Sequence, residues 1–404
     1  MSDRSTHGRA RVAFAMIGSA QWTAGSYYLR NLLTAVRSLN HEVDFETILL
    51  VPQQATPDSY RDLGPQVDQV IQAPLHQIPG FWQRQMKRVQ QRVGFWPDPG
   101  SPLKPFLRRH RIACLFAGPD FLERVPMPLL SWIPDFQHLH LPQMFEPEEI
   151  RGRNETFSHL ASHATRVILS SQHASRDFQH FAPLATTKAR VLPFVSQVPE
   201  NVYDTDPKWI CAHYHLPEQF VYLPNQFWRH KNHEVVVEAL EIVKTSHPEI
   251  TVVCTGNTND YRSPLHFAEL LAKLSSLGLR DRMILLGLVP HGHLFQLMRQ
   301  SLAVLQPSLF EGWSTTVEEA KSIGKQLILS DIAVLREQNP EKATFFGAHD
   351  AQQLAGCLVR AFEEKKPGPD YEMEERAREQ RPRRTREFGT AFLNITREVL
   401  PERS

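Results

Sequence analysis

Short apolar runs of strand length alternate with helical patterns along the whole chain, and this alternation predicts parallel α/β architecture. In the first half the pattern predicts strands at 12–17, 45–51, 113–116, 129–133, 167–169 and 191–194, and helices near 25–38, 147–163 and 172–181. In the second half it predicts strands at 220–223, 251–255, 283–286, 303–305 and 326–329, and helices near 232–245, 264–277, 291–300, 315–324 and 350–364. Because the pattern occurs twice, we expect two α/β domains.

The boundaries of these domains follow from local composition. The polar, proline-bearing segment after Phe194 is typical of a linker, so we place an N-terminal domain at residues 1–200 and a C-terminal domain at 201–385. The charged, proline-interrupted stretch 366–385 is typical of a solvated helix or a loop outside the core. In 386–404, Phe388, Phe392 and Ile395 recur at helical spacing, which predicts a final helix able to dock back on the N-terminal domain.

Composition narrows the function classes. The chain has 404 residues, enough for two cores, and a formal net charge of +1, which excludes a general attraction to nucleic acid. Its four cysteines form no C-x-x-C pair, which argues against a zinc knuckle or redox motif and favours reduced thiols. No apolar run approaches the ~18 residues of a spanning helix, and the first residues lack a secretory pattern. We therefore expect a cytoplasmic protein.

One segment suggests contact with a membrane surface. Residues 81–96 carry Trp82, Met86 and Trp96 at helical intervals, together with four basic residues and no acid. Such a basic amphipathic helix can bind an anionic membrane, here the inner membrane face, as a peripheral contact, or an acidic acceptor. A helix packed on its own domain is the alternative.

Candidate chemistry lies at 305–320, where a predicted strand leads through a loop into a helix. Thr315 and Glu318 have the spacing of a capping box, which leaves Glu319 free for another role. The amides of Ser314, Thr315 and Thr316 at the helix start would favour a bound phosphate. Carboxylates are strong acceptors for neighbouring hydroxyls, so Glu311 and Glu319 could hold two polyols with a diphosphate between them. The alternative is that both are ordinary surface charges.

A matching cationic loop follows the first strand of the same half. Arg229 and Lys231 stand in or just after this loop, where both could reach a diphosphate. The carboxyl ends of parallel strands lie at one edge of a sheet, and ligands collect there. An ordinary basic loop is the alternative interpretation.

These residues carry a resemblance. The stretches LGLVP at 286–290, PSLFEGW at 307–313, VEEAKSIG at 317–324 and FWRHKN at 227–232 resemble the donor domain of retaining glycosyltransferases of family 4, the glycosyl transferases group 1, which have the GT-B fold. The family's Glu-x7-Glu motif falls on Glu311 and Glu319. The resemblance implies two Rossmann-like domains whose parallel sheets face a central cleft.

The resemblance also assigns roles. By it, Glu319 binds the donor ribose, Glu311 contacts the transferred sugar, and Lys231 neutralises the leaving diphosphate. The family usually carries an arginine five residues before the lysine; that position is Gln226 here, so Arg229 would substitute. Four further residues match donor-binding positions of the family: Gly25, Gly256, Gly287 and Val289. The alternative is that they are simple turn residues.

The acceptor side of the cleft is expected after the strand at 129–133. The resembled family carries an Asp or His lining the reaction centre in this region, which makes Asp135 and His138 the candidates. Metal binding by His138 and His140 is the alternative, and we do not favour it because no further ligand is suggested and the family needs no metal held by an Asp-x-Asp motif. We therefore expect no metal and no cofactor.

The predicted function is retaining transfer of a hexose, with mannose and glucose as candidates, from a nucleoside-diphosphate sugar to a glycan or lipid-linked acceptor. Polysaccharide biosynthesis is the setting by analogy. The main alternative is a catalytically inactive nucleotide-sugar-binding subunit of the same fold. An epimerase, a phosphorylase or a periplasmic-type binding protein is less favoured, since a phosphorylase of this plan is longer and no export signal is seen.

Overall fold

Two parallel sheets are present in the computed structural model, which describes residues 9–17, 23–75 and 101–400. The N-terminal sheet has the order β3-β2-β1-β4-β5-β6-β7. Its strands are β1 (Ala10–Ala15), β2 (Phe45–Pro52), β3 (Gln69–Ala73), β4 (Ile112–Ala117), β5 (Leu129–Ile133), β6 (Arg166–Leu169) and β7 (Ala189–Val191). The helices of this half are α1 (Thr23–Ser38), α2 (Leu103–Arg109), α3 (Gln137–His140), α4 (Pro147–His163) and α5 (Gln172–Phe181).

The C-terminal sheet has the order β10-β9-β8-β11-β12-β13. Its strands are β8 (Val221–Leu223), β9 (Val252–Thr255), β10 (Met283–Gly287), β11 (Val304–Gln306), β12 (Leu327–Ser330) and β13 (Ala343–Phe346). The accompanying helices are α6 (Trp209–Tyr214), α7 (His233–Val243), α8 (His266–Ser276), α9 (His291–Gln300), α10 (Thr315–Ile323), α11 (Ala333–Glu337) and α12 (Ala351–Glu364), and the chain continues into α13 (Tyr371–Arg397).

The predicted alternation of strands and helices is confirmed, and β3 and β13, one edge strand of each sheet, add to it. Both sheets bury apolar strands between layers of helices, as parallel sheets require. Among the residues described, no helix is long and apolar enough to cross a membrane. The amphipathic pattern of residues 81–96 lies outside the described residues, so its membrane role stays a prediction.

Helix α13 returns to the N-terminal half. Phe388, Phe392 and Ile395 are buried in the core of the N-terminal sheet, which confirms the predicted docking. The approach is close at Gly389, where an added Cβ would lie 2.5 Å from the carbonyl oxygen of Ala35 in α1. Only a residue without a side chain allows the two helix backbones to approach this closely.

The expectation that 366–385 lies outside the core was wrong. Residues 371–385 belong to α13, and Met373 and Ala377 are buried on one face of it. The same face buries charged groups: Glu374 accepts hydrogen bonds from Arg299 at 2.6 and 3.2 Å. Helix α13 crosses residue 385 without a break. The domain boundaries at 200 and 385 stay predictions.

Candidate active site

The strand order of the C-terminal sheet reverses between β8 and β11. From β8 the chain moves outward through β9 and β10, then returns to the other side of β8 with β11. In open parallel sheets the loops on either side of such a reversal diverge and leave a crevice at the carboxyl ends of the strands. The loop after β8 carries Lys231, and the loop after β11 carries Glu311.

Lys231 and Glu311 meet in this crevice. Lys231 Nζ lies 2.5 Å from Glu311 Oε1, and both side chains are largely buried. A pair this close and this sheltered interacts more strongly than an exposed ion pair, because water screens it less. The structure therefore places a cation and an anion, 80 residues apart in the chain, at one point of the sheet edge.

A line of buried amides holds Glu311 in place. Gln306, at the end of β11, donates from Nε2 to Glu311 Oε1 at 2.6 Å. Its own Oε1 accepts from Asn225 Nδ2 at 2.7 Å. Gln306 is fully buried and Asn225 nearly so. Hydrogen bonds to a charged acceptor are the stronger kind, so Gln306 holds the Glu311 carboxylate independently of the contact with Lys231.

The position of Lys231 depends on the turn that contains it. Residues Arg229–Lys231 form one turn of 3-10 helix that ends at Asn232, which has φ 59°. Asparagine tolerates this left-handed conformation better than most residues. Its side-chain amide donates to the carbonyl oxygens of Pro307 (3.1 Å) and Ala348 (2.8 Å), so the lysine turn is tied to the glutamate loop. Arg229 itself is exposed at the start of the turn.

Glu319 lies on α10, mostly buried, and faces a second group of side chains. His291 Nε2, at the start of α9, is 3.7 Å from Glu319 Oε1. The ring of His291 stacks on Tyr27 of α1, with centroids 5.3 Å apart. Burial raises the pKa of the Tyr27 hydroxyl, and the Glu319 charge contributes in the same direction. The N-terminal half thus reaches over the carboxylate that we predicted to hold a ribose.

The start of α10 differs in detail from the expectation. The N-cap is Ser314, whose Oγ accepts from Val317 N at 3.4 Å, and the predicted cap Thr315 is the first helical residue. Glu318 does not close a capping box; its carboxylate pairs with Lys321 at 3.0 Å and with Arg384 of α13. With Ser314 as the cap, the residue three positions on is Val317, whose apolar side chain cannot close a box.

The helix start retains some capacity for an anion. The amide of Ser314 already donates to Gln338 Oε1 at 3.0 Å, and that of Val317 to the Ser314 cap. The first-turn amides of Thr315 and Thr316 stay as donors for a ligand. The Thr316 hydroxyl lies 3.4 Å from the carbonyl oxygen of Pro224, which packs α10 against the end of β8.

Three of the predicted donor-binding residues, Gly256, Gly287 and Val289, lie at the next two strand ends. Gly256 N donates to the carbonyl oxygen of Gly287 at 2.8 Å, which joins the ends of β9 and β10. Gly287 has φ 69° and open space where a side chain would be, and Val289 packs beneath it on the core. These three residues lie at or just after the carboxyl-terminal ends of β9 and β10, and their role in donor binding stays a prediction.

The N-terminal half contacts the crevice through the loop after β5. An added Cβ on Gly312 would lie 2.4 Å from the carbonyl oxygen of Pro134 and 2.8 Å from Asp135 Cβ. Asp135 therefore lies next to the residue that follows Glu311. Asp135 Oδ1 accepts from Gln137 N at 2.9 Å, which starts the short helix α3.

His138 lies away from this contact. Its Nε2 is 2.9 Å from Asn154 Oδ1 of α4, and its ring packs among Phe136, Phe145 and Phe157. Burial lowers the pKa of His138. The structure does not bring His138 to Glu311. Instead His140, two residues on, lies with its ring centroid 5.1 Å from that of Phe310.

Several residues at the crevice were not predicted. Arg262 spans the two halves: Nη1 donates to Gln137 Oε1 at 3.0 Å, and the guanidinium lies over the rings of Phe145 and Trp228. Tyr27 and His291 form the stack described above. Only Gln306 had a signal in the sequence, as a polar residue closing an apolar strand. Gly25 is buried near the start of α1, whereas residues 18–22 of its loop lie outside the described residues.

Comparison with known proteins bears on this arrangement. Residues 214–383 match the family model described as glycosyl transferases group 1. No curated protein matches the sequence. Solved structures that resemble the chain include Anabaena HepE in complex with UDP and glucose (TM-score 0.62, 15% identity, 97% of this chain and 98% of that one). Others are sucrose-phosphate synthase from Thermosynechococcus elongatus (0.61, 15%, 97% and 95%) and a UDP-forming α,α-trehalose-phosphate synthase from Burkholderia xenovorans (0.61, 14%, 97% and 99%).

The chain has the GT-B fold. The likeness spans nearly the whole of each chain, and the two parallel-sheet domains agree with it. At this identity the neighbours show the fold alone. The family match covers the half that contains Lys231, Glu311 and Glu319.

Proposed function

We propose that the protein is a retaining glycosyltransferase of family 4 that moves a hexose from a nucleoside-diphosphate sugar to a glycan or lipid-linked acceptor. The observation that carries this proposal is the Lys231–Glu311 pair at the reversal of the C-terminal sheet, 2.5 Å apart and largely buried. The family match of residues 214–383 supports the reaction class. The UDP-bound neighbour named above supports a nucleotide-sugar donor.

The pair suits a site that exchanges one anion for another. Lys231 and Glu311 neutralise each other. A donor diphosphate would compete for Lys231, and the amides of Thr315 and Thr316 would add donors to it. Glu311, still held by Gln306, would then accept hydrogen bonds from the hydroxyls of the transferred sugar. Glu319 would accept from the ribose.

In the transfer step, the bond between the anomeric carbon and the diphosphate oxygen breaks, and its electron pair leaves with the diphosphate. The acceptor hydroxyl forms the new bond on the same face, and its proton passes to the departing phosphate. The contribution of this chain is positioning and stabilisation of charge on the leaving group by Lys231, Arg229 and the helix amides. We propose that no metal ion or cofactor is needed for this step.

The setting is the cytoplasm, with a peripheral contact at the inner membrane face through residues 81–96, and polysaccharide biosynthesis is the process. Asp135 of the N-terminal half lies against Gly312, the residue that follows Glu311. We propose that it lies at the acceptor side of the reaction centre.

The test begins with a thermal-shift screen of nucleotide sugars, followed by measurement of nucleoside diphosphate released with and without acceptors. Lys231→Ala should lower kcat by about 100- to 1,000-fold, the range for loss of one charge-stabilising group. Glu319→Ala should weaken donor binding by about 10- to 100-fold, since a hydrogen bond to a charged group is worth about 1.5–3 kcal/mol. Glu319→Ala should melt as the wild type does, whereas Lys231→Ala should unfold cooperatively at a lower temperature, because Glu311 loses its buried cation.

A matched control is available on another face of the C-terminal half. Lys273 Nζ pairs with Glu238 Oε1 at 2.8 Å, and this pair is more exposed. Lys273→Ala removes a lysine from an ion pair without touching the crevice, so its turnover should be unchanged. Wild-type turnover in Lys231→Ala or Glu319→Ala would refute the assigned roles. Donor binding with no release of nucleoside diphosphate for any acceptor would favour the inactive binding subunit.

A further inference from the structure

Two histidines and an aspartate from the N-terminal half come together beside the crevice. His140 Nε2 lies 2.9 Å from Asp177 Oδ2, and His173 Nδ1 lies 3.4 Å from the same oxygen. All three potential ligand atoms lie within 4.8 Å of one another. The three side chains range from partly buried to exposed, so solvent and ions reach them.

The surrounding structure holds these side chains in place. His173 and Asp177 are one turn apart on α5, and His140 ends α3. Glu337 of the C-terminal half accepts hydrogen bonds from His173 N (3.1 Å) and Gln172 N (2.6 Å), which fixes the start of α5. The ring of Phe310, next to Glu311, lies 5.1 Å from that of His140. The cluster is therefore built into the seam between the two halves.

The chemistry of the three groups selects a class of ligand. Two imidazole nitrogens and one carboxylate oxygen form the set that binds zinc in sites with one open coordination position. With bonds of about 2.0–2.2 Å at tetrahedral angles, ligand atoms lie roughly 3.3 Å apart, and the observed separations of 2.9 and 3.4 Å lie on either side of this value.

We propose that His140, His173 and Asp177 form a binding site for one divalent transition-metal ion of the zinc class. The site is separate from the residues proposed to bind the diphosphate, so it does not depend on the proposed transfer reaction. It departs from the expectation that no metal is bound. That expectation assumed that no further ligand accompanied His138 and His140, whereas the fold supplies His173 and Asp177 from a helix more than 30 residues later.

The alternative is a histidine–aspartate–histidine hydrogen-bond network that binds no ion. Both arrangements explain the observed contacts, but only the metal site gives saturable binding of one ion. Protein treated with a chelator is titrated with Co²⁺ and followed by visible absorption, then with Zn²⁺ in competition and by thermal melting. We expect one Co²⁺ per chain with the intense visible bands of a four-coordinate ion, displacement by Zn²⁺, and a melting temperature that rises with Zn²⁺.

Variants separate this site from the other histidines, of which the chain has 19 in all. His173→Ala and Asp177→Asn should each lose the stoichiometric site. Loss of a hydrogen-bond partner of a metal ligand weakens metal binding by about 10- to 100-fold, and loss of the ligand itself should weaken Co²⁺ binding by more than this. His180→Ala, on the same helix with Nδ1 bonded to the carbonyl oxygen of Arg176, is the matched control and should bind as the wild type does. Melting of each variant without metal shows whether it is folded.

The outcomes are distinct. Equal Co²⁺ binding by wild type, His173→Ala and Asp177→Asn would mean that other surface histidines bind the ion, and would overturn the proposal. Absence of saturable binding in the wild type would overturn it in favour of the hydrogen-bond network. A site lost in both ligand variants and kept in His180→Ala would support it, whatever the transferase assay shows.

Discussion

The contact at Gly312 gives a prediction about how the two halves cooperate. An alanine Cβ at this position would lie 2.4 Å from the carbonyl oxygen of Pro134, about 1 Å closer than carbon and oxygen atoms normally approach. The atom it meets is backbone, so a rotamer change cannot relieve the overlap. Either the loop that carries Glu311 or the end of β5 that carries Asp135 must retreat by about 1 Å.

A displacement of this size should lower the rate of a reaction that depends on the positions of the reacting groups. A 1 Å misplacement of reacting groups can cost about 100-fold in rate. We therefore expect Gly312→Ala to lower kcat/KM for transfer by about 100-fold. Donor affinity should change less, because Glu311 is the proposed donor contact on the displaced loop, whereas Lys231, Glu319 and the amides of Thr315 and Thr316 belong to the 3-10 turn and to α10. The assay is release of nucleoside diphosphate with acceptor present, together with a donor titration and a melting curve.

The matched control is Gly152→Ala in α4, where nothing lies within 4 Å of the added Cβ. This variant should keep the activity of the wild type and melt at the same temperature or slightly above it, since alanine is the better helix former. If Gly312→Ala keeps the kcat/KM and the melting temperature of the wild type, the close contact is not part of the active arrangement. If donor affinity falls as much as kcat/KM, the substitution has damaged the C-terminal site itself.

Two further predictions concern stability. Burial lowers the pKa of Lys325 to about 7. Between pH 7 and about 10.5 the unfolded chain keeps a proton that the folded chain has released, so the free energy of unfolding should rise with pH by at most about 1.4 kcal/mol per pH unit. Urea unfolding at pH 7 and pH 9 should show this rise in the wild type, and the rise should be absent in Lys325→Met. Gly389→Ala places a Cβ 2.5 Å from the carbonyl oxygen of Ala35 and should destabilise the fold by about 1–3 kcal/mol. Gly356→Ala, with its nearest neighbour at 3.8 Å, should not, and equal melting of the two variants would contradict the docking of α13.

The interior strands were predictable because each is an apolar run with both faces covered. Two of the four edge strands, β3 and β13, were missed because their apolar pattern is weak, whereas the edge strand β10 is an apolar run and was predicted. Gln69–Ala73 is partly exposed and contains two glutamines, and Ala343–Phe346 is mostly half-buried. A strand with one open edge needs less apolar character, so its pattern is weaker.

The charged start of α13 shows a second limit. Met373, Ala377 and Arg381 share one buried face at four-residue spacing, and Arg381 pairs with Glu200. Hydropathy counts a charged residue as a surface residue. It cannot anticipate that a partner from a distant segment allows the charge to be buried.

Some residues of the candidate site could be predicted from the sequence and others could not. Lys231, Glu311 and Glu319 could be proposed because each belongs to a strand, loop and helix unit that is local in the chain. The stack of Tyr27 on His291 and the cluster of His140 with Asp177 join elements far apart in sequence. Nothing in a local pattern distinguishes these side chains from ordinary surface residues, since their contacts exist only after distant segments of the chain have packed together.

The return of α13 has a consequence for biosynthesis. The apolar face that receives Phe388 and Phe392 is formed by residues of the first 200, yet these two phenylalanines are made almost 200 residues later. At about 5–20 residues per second, a ribosome takes roughly 10–40 s to supply them. During that interval the nascent N-terminal half exposes a hydrophobic surface, which is the kind of surface that chaperones bind. Folding of the first half is therefore completed only after the second half has been translated.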